Sequence, residues 1–128
     1  MVKMIKFLEL RTAIQTLLKT LHARVFFQVA SDKAEFPYVV FDLPNSVDSG
    51  ALENFVLDID VWDVNADTTA LETLINTIDE ALHKKTILIE DKMGITLYRE
   101  NRLTLTDDDP NIRRRKYTYQ ARTYQKYY

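Results

Sequence analysis

From Phe55 to Trp62 the chain alternates without interruption. Phe55, Leu57, Ile59 and Val61 fall on one side, and Val56, Asp58, Asp60 and Trp62 on the other. A two-residue period is that of an extended strand with one face buried and the other partly wet. The run that follows, Asp63-Val-Asn-Ala-Asp-Thr-Thr69, is rich in residues that cap helix starts. The period then changes: Leu71, Leu74, Ile75, Ile78 and Leu82 form one apolar stripe at helical spacing. Thr69 and Glu72 have capping-box spacing, with Asp67 a competitor for the cap. A strand feeding a helix in this way gives the fold its centre.

Upstream, Phe7, Leu10, Ile14, Leu17, Leu18 and Leu21 recur at spacings of three and four, with no Gly or Pro between them, predicting a helix from about Lys3 to His22. Arg24–Val29 is β-branched and aromatic and predicts a short strand. Phe36–Leu43 predicts another, with Pro37 at its start because proline cannot donate to a ladder. Pro44–Gly50 is the densest cluster of turn residues, too long for a tight hairpin turn, and is expected to protrude as a loop joining residues 37–43 to an antiparallel partner at 55–62. Thr86–Glu90 fits either a strand or a helix exit, and Gly94 suggests a turn. Ile95, Leu97, Leu103 and Leu105 flank a polar middle, which suggests a kinked or bulged strand. Asp107–Asn111 is a turn, and Ile112 to about Tyr124 a last strand. Two helices and about six strands that do not alternate regularly with them predict an α+β fold. The sheet is then largely antiparallel, with five or six strands and both helices on one face, in a single domain over residues 1–128. Asp58 and Asp60 would lie on the other face or in the lumen of an oligomer.

Composition narrows the chemistry. The 128 residues include no cysteine, which removes disulfides and thiolate metal sites together. The only glycines, Gly50 and Gly94, stand far apart, whereas loops that cradle phosphates need several close together. No apolar run is long enough to span a membrane, and the N-terminal residues lack the pattern of a signal peptide. His22 and His83 close the two predicted helices, where an imidazolium meets the negative end of the dipole; neither has a Glu or His at zinc-ligand spacing.

Two constellations invite a functional reading. Asp58 and Asp60, with Asp63 nearby, could hold Mg²⁺; the simpler reading is a solvated strand face. Arg113-Arg-Arg-Lys116 is interleaved with Tyr117, Tyr119 and Tyr124, a mixture that suits phosphates and stacked bases. Alternation splits that cluster, however, sending Arg113, Arg115, Tyr117 and Tyr119 to one face and Arg114, Lys116 and Thr118 to the other. Arg and Tyr divided in this way favour a protein–protein interface. Residues 1–97 hold 9 Lys+Arg against 15 Asp+Glu, net −6, and residues 98–128 hold 8 against 4, net +4. An acidic body with a basic end suits head-to-tail association. Candidate contact residues are Asn45, Ser46 and Asp48 in the loop, Asp58, Asp60 and Asp63 on the acidic side, and Arg113, Arg114, Arg115, Lys116 and Arg122 on the basic side. Tyr119 and Tyr124 would supply apolar contact.

The chain resembles the tail completion proteins of long-tailed bacteriophages, also called tail terminator or tail-to-head joining proteins. The resemblance rests on the N-terminal helix with Leu17-Leu18, the strand Phe36-Pro-Tyr-Val-Val-Phe41, the Val56–Trp62 strand leading into the Thr69–Leu82 helix, and the terminal strand Arg113–Tyr124. It implies a structural virion protein without catalytic activity or cofactor, assembled in the host bacterial cytoplasm. Such a protein forms a hexameric ring, from a monomer or not, on the head-proximal end of the tail. Its implied partners are further copies of itself, the tail tube protein and the head completion or connector protein, with DNA passing through the lumen without sequence-specific contact and no membrane involved. Two rival readings stand beside it: a nucleic-acid-binding accessory protein using the basic C-terminal strand, and a small metal-dependent enzyme using the strand aspartates.

Overall fold

The alternating stretch is an inner strand of a six-stranded sheet. The computed structural model describes residues 7–48, 53–89 and 93–125. In chain order the elements are α1 (Phe7–Leu21), β1 (Val25–Phe27), β2 (Tyr38–Asp48), β3 (Glu53–Asp63), α2 (Thr69–Leu82), β4 (Thr86–Ile89), β5 (Met93–Thr106) and β6 (Arg113–Gln125). The strands lie in the order β1-β2-β3-β6-β5-β4. β1 and β2 run parallel, and every other pair is antiparallel. The architecture is α+β, as the pattern of elements predicts.

The apolar stripes explain the layering. Leu10, Ile14 and Leu18 of α1 and Leu71, Ile75, Ile78 and Leu82 of α2 are buried in one cluster with Val39, Phe41, Phe55, Leu57, Ile59, Val61, Ile95, Leu97, Tyr119 and Ala121. Each large aliphatic side chain taken fully out of water there contributes roughly 1.5–3 kcal/mol. α2 packs on β3, β5 and β6, while α1 touches both β1 and β4, the two edge strands. The sheet therefore curls around α1, which brings its opposite edges to the same helix.

The structure departs from the sequence reading in definite places. Pro44–Asp48 is not a loop: β2 continues through it and pairs Asn45, Ser46, Val47 and Asp48 with Val56, Phe55, Asn54 and Glu53. The ladder slips between Asp42 and Asn45, so that Leu43 and Pro44 oppose a single residue and no paired amide is required of the proline. A one-residue bulge also exchanges faces, which is why Val47 is exposed although Val39, Phe41 and Leu43 are buried. Residues 49–52, including Gly50, lie outside the described residues. Gly94 sits inside β5, opposite Leu88 and Tyr124, rather than in a turn. Thr86–Ile89 is a strand, antiparallel to β5.

The capping box does not form. Thr68 occupies the N-cap and makes no side-chain cap bond. Asp67 Oδ1 accepts the Thr69 amide at 3.0 Å and the Thr69 hydroxyl at 2.7 Å, and these bonds hold its carboxyl below the usual range. Glu72 turns instead to β6, where both its oxygens accept from Arg115, at 2.8 and 3.1 Å. The predicted start of the first helix, Lys3 to Lys6, lies outside the described residues. In a chain with so few glycines, the left-handed positions that follow β1 and α2 fall on Gln28 (φ 67°) and Lys84 (φ 62°).

Candidate functional site

The helices cover one face of the sheet and leave the other bare. Even-numbered residues of β3 and β6, and those of β2 as far as Asp42, point to the bare face, and register sets them in rows. Tyr38, Trp62 and Arg114 make one row, Val40, Asp60 and Lys116 the next, and Asp42, Asp58 and Thr118 the third. In the first row the Tyr38 and Trp62 rings stack at 5.8 Å and 17°, and the Arg114 guanidinium lies 4.0 Å from the Trp62 ring centroid. Arg114 then reaches the second row and forms a hydrogen-bonded ion pair with Asp60. Lys116 Nζ lies 3.4 Å from Asp58 Oδ2, and the Thr118 hydroxyl donates to Asp58 Oδ1 at 2.9 Å. Phe36 and Phe26 flank Tyr38, at 5.1 and 6.0 Å.

The segment after β1, residues 28–36, passes beside these rows and closes a cleft of about 570 Å³ between itself and the strands. Burial in this cleft sets its electrostatics. The Asp60 carboxyl is pushed above the usual range by desolvation, against the opposing pull of Arg114 and Lys116. The Tyr38 hydroxyl is likewise raised, first by burial and then by the Asp60 charge. Asp60 Oδ1, Trp62 Nε1 and Arg114 Nε are sealed from solvent without a hydrogen-bond partner.

The histidines serve the scaffold. His22 Nε2 lies 2.9 Å from the Pro37 carbonyl, which also accepts from Arg24 Nε at 3.1 Å. His83 Nδ1 accepts the Arg99 amide at 2.9 Å. Among the described residues no three His, Cys, Asp or Glu side chains converge as a metal site. The open face combines fixed rings, paired charges and a shaped cleft.

Comparison with known proteins bears on the family and the fold. The family model described as tail completion protein gp17 matches residues 2–124. The chain belongs to this family. It is thereby a structural protein of phage tail assembly. No curated protein matches it. Among solved structures, a chain from the virion of a native gene transfer agent particle has the same fold, with a TM-score of 0.72 at 14% identity, covering 89% of this chain and 93% of that one.

In this tail completion protein the residues singled out from sequence fall in different environments. Asp58, Asp60, Arg114 and Lys116 come together on the open face, but as partners of one another. Arg115 points the other way and holds Glu72 of α2. Tyr119 is fully buried and donates its hydroxyl to Asp79 Oδ1 of α2 at 2.6 Å, so it is a core residue and offers no surface for contact. Burial and the Asp79 charge raise its hydroxyl pKa strongly, and Arg99 pairs with the same carboxylate. Asp63 is buried with its Oδ1 on the Val64 amide. Arg113 donates to the Pro110 carbonyl. Arg122 is exposed, bonded to Gln120 Oε1 and placed over the Tyr98 ring at 5.4 Å. Asn45 and Ser46 lie far along the β2–β3 hairpin, where the Ser46 hydroxyl meets Glu53 Oε2 at 2.5 Å. The side chains of Asp48 and Tyr124 lie outside the described residues. Sequence reading missed Tyr38, Asp42, Asp79 and Arg99. Only Tyr38 and Asp42 carried a usable signal, the parity of the Tyr38–Phe41 run.

Proposed function

We propose that this protein closes the head-proximal end of a phage tail tube as a ring of six copies and joins the tail to the head connector. Its partners are then further copies of itself, the tail tube protein and the head completion or connector protein. Genome DNA passes through the lumen without sequence-specific contact, and the protein resides in the virion and acts without catalysis. The match to the tail completion family across residues 2–124 carries this reading, and the fold shared with a virion chain supports it.

The structure changes which residues suit the ring contact. Arg114, Lys116 and Arg115 already pair with carboxylates of their own chain, so reversing their charge would disturb the fold before it tested assembly. The same pairing weakens the case for nucleic-acid binding by β6. The hairpin β2–β3 with exposed Val47, and the exposed guanidinium of Arg122, are better placed to meet a neighbour. Immunogold labelling of purified tails tests the reading. A single focus at the head-proximal end is expected, whereas label along the tube or at the distal tip overturns it.

A further inference from the structure

We propose that the cleft on the open face docks a lysine or arginine side chain presented by another tail protein. This deepens the tail-assembly reading, on which the partner is itself a virion protein. The first support is charge. Asp32, Asp42, Asp58 and Asp60 line the cleft against only Arg114 and Lys116. Asp60 and Asp58 meet those two cations, which leaves Asp42 with neutral partners among the described residues: the Leu43 amide at 2.8 Å and Gln28 Nε2 at 3.2 Å.

Register supplies the second support. Asp42 and Asp58 are directly opposed across β2 and β3 on the same face, and like charges so placed destabilise a sheet pair. Lys116 already offsets Asp58 at 3.4 Å, and a cation brought beside Asp42 would supply the matching pairing on the other strand. The third is the wall beside them, where Phe36, Tyr38 and Trp62 present ring surface with centroid spacings of 5.1 and 5.8 Å. Lysine and arginine bury their aliphatic stems on such surface while the charged head reaches a carboxylate. DNA is disfavoured, because its phosphates would meet the excess carboxylates.

Trp62 is the only tryptophan in the chain and reports on the cleft directly. The test titrates the full chain with an eight-residue peptide alternating lysine and alanine, following Trp62 emission, with a glutamate-for-lysine peptide and a short DNA duplex as comparisons. A saturable change with the lysine peptide alone is expected, and it should weaken with salt. Asp42→Asn should weaken that binding by about tenfold, while its Tm stays at or above wild type because the cross-strand repulsion is gone. Absence of a response to the lysine peptide, an equal response to the glutamate peptide or to DNA, or unchanged affinity in Asp42→Asn overturns the proposal. The measurement uses the isolated chain, so a negative result leaves the immunogold test of tail position standing, and a failed localisation leaves the binding result standing.

Discussion

Ile59 and Asp60 are neighbours in β3, yet they belong to different chemistry. Ile59 faces the helices and is wholly buried among aliphatic side chains. Asp60 faces the open cleft, desolvated but held by Arg114, with one oxygen unpartnered. The covered face is stabilised by area, which is non-directional and tolerant of exchange among aliphatic residues of similar size. The open face is stabilised by pairings, each dependent on geometry and on both partners being present. One strand thus carries a face that holds the fold together by area and a face fixed by paired charges. The polar exception on the covered side, Asp79 with Tyr119 and Arg99, shares the character of the open face: every contact there is a named bond between α2 and the sheet.

If this contrast is right, substitutions should separate by face. Ile59→Ala removes a fully buried side chain and should lower unfolding free energy by about 2–5 kcal/mol in urea denaturation. A loss below about 1 kcal/mol would mean that the core relaxes around the vacancy.

Asp60→Asn keeps the shape of the open face but leaves the Arg114 guanidinium, largely withdrawn from solvent, without its carboxylate. We expect a loss of about 1–3 kcal/mol, less than a fully buried pair would give because both side chains keep some exposure. The pH dependence sharpens this. Because the folded-state pKa of Asp60 lies above its ordinary value, the folded state binds that proton more tightly than the unfolded chain does. The stability this contributes is fully present below the ordinary aspartate range and is lost as pH rises through the raised value. The Tm advantage of wild type over Asp60→Asn should therefore shrink as pH rises from the ordinary aspartate range through that raised value, then level off. An advantage that grows with pH in that window would reverse the assignment.

Tyr119→Phe removes one donor from the buried Asp79 carboxylate and leaves the ring in place. A loss of about 1–2 kcal/mol is expected from the unsatisfied acceptor, read by thermal or urea unfolding. The smallest effect belongs to Glu72→Gln. Glu72 is half exposed, and its pair with Arg115 lies at the rim, so a change of about 0.2–1 kcal/mol, diminished by salt, is expected.

Much of the covered face was legible because burial imposes a period. The alternation in β3 and the three- and four-residue spacing in α1 and α2 name nearly every core position there, and Phe55, Leu57, Ile59 and Val61 are buried as their parity demands. Parity also assigned Arg114 and Lys116 to the face opposite Arg115 and Tyr119, where the structure places them. What could not be read from spacing was who meets whom. The partners of Arg114, Arg115 and Tyr119 lie 54, 43 and 40 residues away, and only the register of β6 against β3 and the seating of α2 bring them together.

Bulges mark the same boundary most sharply. Ile95, Leu97, Leu103 and Leu105 share one parity, and the polar middle between them suggests the kink or bulge that the register slip supplies. The slip between Arg99 and Asn101 sends Ile95 and Leu97 into the core and turns Leu103 and Leu105 toward the open side. Pro44 hid a second such slip behind the look of a loop. The sequence alone determined the α+β class, the two helices, the buried face of β3 and the division of the basic cluster, because local period and burial are properties of neighbouring residues. Only the tertiary structure decided the strand order, the two changes of face and the pairing that makes the open cleft, because these depend on register between segments far apart in the chain.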